Sequence, residues 1–190
     1  MAADVTSRRF VLLDRDGTIN EEVGYVLAPA ALRLIPGTAA AIRDLRDLDL
    51  GIVVVTNQAP IARGWITTDD LAAIHERLLE LLAAEGATVE GVEFCPHDRD
   101  EGCGCRKPGT LMVERAAARL GFDPARAFVV GDHAGDVEMG RRVGARTLLV
   151  RTGHGEEELA SAARFADHVV ADLREAADVI RAEVLATAGR

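Results

Sequence analysis

Short apolar runs alternate along this chain with segments whose apolar residues return every three or four positions. Residues 9–14 (RFVLLD) form a run that ends in Asp14, the pattern of a buried strand feeding a loop. After Pro36-Gly37, residues Ala41, Ile42, Leu45 and Leu48 recur at helical spacing, and Gly51 then opens a second run, IVVVT, that ends at Thr56. Thr67 and Asp70 make a capping-box-like start ahead of Leu71, Ile74, Leu78 and Leu81 on one helical face. A strand over 89–95, a helix over 109–120, a strand at 127–130, a short helix over 137–143 and a strand at 147–150 follow. The tail adds a weak strand near His168-Val169-Val170 and a terminal helix. This alternation predicts an α/β fold, with a mainly parallel sheet covered by helices on both faces. In such sheets ligands bind outside the carboxyl ends of the strands, and Asp14, Thr56 and Asp132 each follow an apolar run.

Composition narrows the class. The 190 residues show no repeat, linker or low-complexity stretch and suit a single domain over 1–190, with 48% apolar residues to fill its core. A net charge of −9 excludes a nucleic-acid binder, which needs a basic face, yet leaves room for a local cationic site. The first residues, MAADVTSRRF, hold no apolar signal core, and no stretch approaches transmembrane length. The expectation is a cytoplasmic protein with no membrane partner. All three cysteines, Cys95, Cys103 and Cys105, crowd into one short segment, which in a reducing compartment reads as metal binding rather than disulfide formation.

The candidate chemistry begins at Asp14-Arg15-Asp16-Gly17-Thr18. Two carboxylates leaving a buried strand can converge on one hard cation such as magnesium, and a carboxylate can attack phosphorus to give an aspartyl phosphate. Taken alone, the string is as readily a helix cap or a surface turn. Thr56-Asn57-Gln58 offers a hydroxyl and amides suited to phosphate oxygens, and Arg106-Lys107 offers cations for a dianion. Gly131-Asp132 places a carboxylate at another strand end, while Asp136, four residues on, is accounted for by helix capping.

In order and spacing these four elements resemble the four motifs of the haloacid dehalogenase phosphatase superfamily. Within it, the strings DRDGTIN, GYV, TNQ-x-x-IARG, CPH, CxCRKP and VGD are similar to the heptose 1,7-bisphosphate phosphatase branch, a pattern largely shared by histidinol phosphatases. The match runs from about Phe10 to about Gly153. The resemblance implies a Rossmann-like three-layer sandwich with a minimal cap. It implies Asp14 as nucleophile and Asp16 as general acid, then base. It implies magnesium on Asp14, the main-chain carbonyl of Asp16, and Asp132, with Thr56 and Lys107 holding the transferring phosphoryl group. Glu22, Val23, Gly24, Tyr25, Asn57, Gln58, Arg106 and His133 would face the rest of a small phosphorylated sugar, on a monomeric enzyme. The reaction implied is removal of the 7-phosphate from a heptose 1,7-bisphosphate, with histidinol phosphatase or a broader phosphomonoesterase as the alternative.

Cys95, His97, Cys103 and Cys105 supply three thiolates and an imidazole, the ligand set of a closed, structural zinc site in a loop over 95–105. Because Cys105 directly precedes Arg106-Lys107, fixing that loop would aim the two cations. The chain departs from the resembling branch at His133, where lysine is usual, at Ala59-Pro60, where Ser-Gly is common, and in shortened segments between His97 and Cys103 and after Lys107. These departures bear on substrate identity and not on the chemistry. His75, His154 and His168 read as surface or capping residues, Trp65 as packing, and Met112 and Met139 as core filler. Two readings of other classes remain at this point: a phosphoacceptor signalling module, and a zinc-dependent interaction module that would not need Asp14.

Overall fold

The computed structural model describes residues 8–188, so the segment 1–7, read above as lacking a signal core, lies outside the described residues. Six strands form one sheet: β1 (Phe10–Leu13), β2 (Gly51–Asn57), β3 (Gly91–Cys95), β4 (Phe128–Gly131), β5 (Arg146–Val150) and β6 (His168–Val170). Their order is β3-β2-β1-β4-β5-β6, and every neighbouring pair is parallel. Parallel neighbours require crossovers, and helices α1 (Thr38–Arg46), α2 (Thr68–Ala84), α3 (Leu111–Leu120), α4 (Ala134–Arg142) and α5 (Gly155–Ala162) supply one between each successive pair of strands, before α6 (Leu173–Ala188) closes the chain.

Strand side chains point alternately to the two faces, so a continuous apolar run feeds two cores. Val11, Leu13, Ile52, Val54 and Phe128 pack beneath α1, α2 and α6, against Ile42, Leu45, Ile74, Leu78 and Ile180. Phe10, Leu12, Val53, Val55 and Val129 face the other way, onto Met112, Val113 and Ala116 of α3 and Met139 of α4. Val137 and Leu149 join Ala162 of α5 in a third, smaller cluster. The result is the three-layer α/β sandwich expected from the sequence, and Met112 and Met139 are buried as expected.

Boundaries shift where caps decide them. The capping box at Thr67 and Asp70 starts α2, with Leu82 and not Leu81 turned fully into the core. Helix α4 begins three residues before the expected 137, because His133 and Asp136 form a second capping box. Leu48 lies past the end of α1.

The strand order reverses between β1 and β4, the central neighbours, and a crevice opens above their carboxyl ends. The irregular segment 17–37 folds over one side of it. Glu21 donates to the Arg33 carbonyl, Ile35 donates to the Ile19 carbonyl, and Ile19, Val26 and Leu32 are buried beneath.

Candidate active site

Four strand ends deliver the site. Asp14 follows β1, its main-chain N–H still donating to Val130 O at 2.9 Å, which places its carboxylate beside the end of β4. Lys107, from the loop before α3, reaches the same place: its buried ammonium lies 2.6 Å from Asp14 Oδ1, 2.6 Å from Asp136 Oδ1 and 2.9 Å from the carbonyl oxygen of Val55. Burial works against the charge of that ammonium, but Asp136 and Asp14 together hold its pKa above the ordinary lysine value.

Asp132, just past β4, is buried, and its Oδ2 accepts from the His154 N–H at 2.8 Å. Space for it depends on two glycines with left-handed backbone: a Cβ on Gly17 (φ 78) would lie 2.1 Å from Asp132 Oδ2, and one on Gly153 (φ 58) would lie 2.2 Å away. Carboxylate oxygens of Asp14, Asp132 and Asp136 all lie within 4.8 Å of one another. Burial, then the charges of Asp14 and Asp136, push Asp132 up to about 9; burial, with Asp136 and Asp16 adding to it against the pull of Lys107, pushes Asp14 up to about 6. Three crowded carboxylates and one lysine leave negative charge uncompensated, so the donor set fits a hard divalent cation.

Asp16 is held differently. Its carboxylate accepts from Arg15 Nε (3.1 Å) and Nη2 (2.8 and 2.9 Å), from Asn20 Nδ2 (2.9 Å) and from Gln58 Nε2 (3.0 Å). Burial alone would raise its pKa, but the Arg15 charge and these hydrogen bonds outweigh that and hold it below the ordinary value. Asp14 and Asp16, two residues apart, thus occupy opposite electrostatic environments.

The Thr56 hydroxyl is buried and accepts from Gln58 Nε2 at 2.8 Å. Asn57 clasps the backbone of Lys107: its Oδ1 accepts from the Lys107 N–H at 3.0 Å and its Nδ2 donates to the Lys107 carbonyl. Above these residues lies a cavity of about 800 Å³ whose walls include Glu22, Gly24, Tyr25, Arg106, His133 and Glu158. Val23 does not line it; its side chain is 53% exposed to solvent. His133 stands at the rim as the N-cap of α4, its Nε2 3.2 Å from Glu158, and burial lowers its pKa although Glu158 opposes this.

Beside this cavity the cysteine loop closes on itself. Cys95 Sγ lies 3.1 Å from Cys105 Sγ and 3.5 Å from Cys103 Sγ, and His97 Nδ1 lies 3.3 and 3.6 Å from Cys105 and Cys95. Four soft ligands converging on one point suit a tetrahedral zinc ion, for which ligand-to-ligand spacings of roughly 3.3–3.8 Å follow from bond lengths near 2.0–2.3 Å, slightly wider than the closest sulfur pair here. Arg106, next in the chain, donates to the His97 carbonyl at 3.0 Å.

Sequence reasoning missed several residues. Asp136 does cap α4, but the same carboxylate also anchors Lys107. His75 is neither a surface nor a capping residue: it is buried on the core face of α2 and contacts Arg15. Trp65 is not packing, since it is 52% exposed, edge-on to Tyr25, with the Arg63 guanidinium over both rings. Arg63 also pairs with Asp98 at 2.6 Å, tying that aromatic rim to the cysteine loop. Only the unbroken D-R-D string hinted at Arg15, and of the rim the sequence offered Tyr25 and the IARG string that holds Arg63, with no sign that Trp65 joins them.

A family model described as HAD-hydrolase-like matches residues 104–176. The D-glycero-D-manno-heptose-1,7-bisphosphate 7-phosphatase of Chlorobaculum tepidum is 41% identical over 184 residues, covering 90% of this chain and 92% of its own. The D-glycero-beta-D-manno-heptose-1,7-bisphosphate 7-phosphatase of Bordetella bronchiseptica is 37% identical over 153 residues, covering 80% of this chain and 86% of its own. Among solved structures, the D,D-heptose 1,7-bisphosphate phosphatase from B. bronchiseptica, complexed with magnesium and phosphate, superposes with a TM-score of 0.86 at 35% identity, covering 92% of this chain and 99% of the other.

Proposed function

The chain belongs to the haloacid dehalogenase-like hydrolase family, and from that premise we propose that it removes the 7-phosphate of a D-glycero-D-manno-heptose 1,7-bisphosphate through an aspartyl-phosphate intermediate. The observation that carries the reading is the meeting of Lys107 with Asp14 at 2.6 Å, beside the carboxylates of Asp132 and Asp136. A lone carboxylate repels a phosphate dianion; a carboxylate flanked by a buried ammonium and a cation site does not.

Asp14, Asp132 and the Asp16 carbonyl would hold magnesium, which would supply positive charge toward the phosphate oxygens. Lys107 and Thr56 orient the phosphoryl group so that an Asp14 oxygen forms a bond to phosphorus as the bond to the sugar oxygen breaks. Asp16 gives its proton to that departing oxygen. In the resting site Arg15, Asn20 and Gln58 favour ionised Asp16, and the incoming negative phosphate favours its protonation. The resulting Asp16 carboxylate then takes a proton from water. That water attacks phosphorus, the bond to Asp14 breaks, and inorganic phosphate leaves.

The zinc loop aims Arg106 toward the far side of the sugar, where Glu22, Tyr25 and His133 complete the surroundings, while Asn57 and Gln58 stay beside Lys107 and Asp16. We read the protein further as a cytoplasmic monomer whose partner is this small substrate; no helix among the described residues is long and apolar enough to cross a membrane. The test is phosphate release with magnesium on both heptose 1,7-bisphosphate anomers, histidinol phosphate and fructose 1,6-bisphosphate. Preference for one heptose anomer supports the assignment. Comparable weak rates on all four defeat it, and a single stoichiometric phosphorylation without turnover would mark a signalling module instead.

A further inference from the structure

Arg15 stands between Asp14 and Asp16 in the sequence, and its side chain is 0% exposed. A buried guanidinium needs an acceptor for each edge it presents. Nε and Nη2 face the Asp16 carboxylate, while Nη1 faces His75 Nε2 at 3.2 Å. His75 comes from α2, sixty residues along the chain, on the same face as Leu71, Ile74, Leu78 and Leu82. Its ring stands edge-on to Phe94 of β3, with centroids 5.8 Å apart. Burial, reinforced by the positive charge of Arg15, lowers its pKa to about 4 against the opposing pull of Asp16. The ring is therefore neutral at pH 7. A nitrogen that meets an arginine N–H must be the unprotonated one, so the ring proton sits on Nδ1.

We propose that His75 is a positioning residue of the catalytic centre: by accepting from Arg15 Nη1 it fixes the guanidinium plane, and that plane orients the Asp16 carboxylate toward the leaving oxygen. The proposal rests on the phosphatase reading, because it assigns Asp16 a proton to deliver. It places the support for Asp16 in the helical layer, outside the cavity wall. Two N–H groups aimed at one carboxylate define its plane as well as its charge, and a guanidinium free to swing would define neither. Phe94, the neighbour of the zinc-loop residue Cys95 in β3, limits how far the His75 ring can turn.

Two measurements test this. The first uses the unaltered protein with magnesium and zinc bound: long-range proton–nitrogen NMR should find His75 as the Nδ1–H tautomer between pH 6 and 8. A protonated ring or the Nε2–H tautomer overturns the proposal. The second compares kcat/KM on β-glycerophosphate, whose alkoxide must be protonated to leave, with that on p-nitrophenyl phosphate, whose phenolate leaves unaided. His75→Leu should lower the first about tenfold more than the second, and His75→Gln, whose amide can accept the same N–H, should restore most of the difference. The ratio is insensitive to the fraction of active protein, so a merely structural histidine would lower both alike. Equal losses, no loss, or failure of His75→Gln to restore the ratio overturns the proposal. If His75→Leu does not fold, His75→Asn, whose amide stops short of Nη1, replaces it with the same expectations. An error in the heptose assignment would leave these probe rates untouched, and an error in the phosphatase reading would show as no turnover of either probe by the unaltered protein.

Discussion

Lys107 Nζ lies 2.6 Å from Asp14 Oδ1 and 2.6 Å from Asp136 Oδ1, so one buried ammonium is shared between a loop carboxylate and a helical one. Asp136 thereby decides where Lys107 points. Asp136→Ala should lower kcat on p-nitrophenyl phosphate roughly 10- to 100-fold, in the range of losing one positioned charge contact. It should also lower the melting temperature through the broken capping box. An unchanged kcat in the folded variant would reduce Asp136 to a helix cap.

Gly153 has φ 58, and a Cβ there would meet both Asp132 Oδ2 and the Cα of Gly17. Gly153→Ala should therefore displace Asp132, raise the magnesium concentration for half-maximal activity at least about tenfold, and cost on the order of 1–3 kcal/mol of stability. A magnesium titration and a denaturant melt check both parts. An unaltered magnesium dependence would show that Asp132 has room to spare.

The cysteine loop should hold one zinc per chain, measurable by elemental analysis of protein purified without added metal. Cys105→Ser should lose the zinc and lower kcat/KM about tenfold or more, because Arg106 and Lys107 follow directly in the chain and Arg106 donates to the zinc-loop carbonyl of His97. Full activity in a zinc-free variant would make the loop a rim decoration.

His75 gives a pH signature of stability. Its folded pKa, about 4, is depressed below the unfolded value near 6.5. The unfolded chain therefore takes up the proton first as pH falls. The contribution of His75 is present above pH 6.5 and is lost between 6.5 and 4, by up to roughly 3 kcal/mol. His75→Gln, which cannot titrate, should lose less stability than the parent over that window in denaturant melts at pH 7 and pH 4.5. Parallel losses would mean that His75 charges freely in the folded state.

The layers of the fold were legible because strand runs and helical spacing are local signals: RFVLLD, IVVVT and TLLV became β1, β2 and β5, and even the weak run at 168–170 became β6. The helix starts were less legible where polar side chains set them, as at His133. Within the site, Asp14, Asp16, Thr56, Lys107 and Asp132 could be named because each closes an apolar run or sits in a motif, and the structure gathers them at the crevice. Asp136 and His75 escaped for the opposite reason. Each fits a local pattern, a helix cap or a helix face, and its second partner is distant in sequence: Lys107 twenty-nine residues from Asp136, Arg15 sixty residues from His75. The meeting of Trp65 with Arg63 and Tyr25 escaped because a rim assembled from three loops leaves no periodicity to read.

The central position of β1 also governs how the protein is made. Its neighbour β4 pairs Val11 with Phe128, and Asp14 hydrogen-bonds Val130, so the first strand waits for more than a hundred further residues before its second edge is covered. During synthesis Asp14 can meet β2 early, but Asp132 and Asp136 arrive only after α3 has been made. Closing such distant pairs is slow relative to forming hairpins or single helices. No amino-terminal fragment that stops short of β4 can therefore hold the three carboxylates together, and competence for phosphate chemistry should emerge late, in one step, as the sheet closes on the far side of β1.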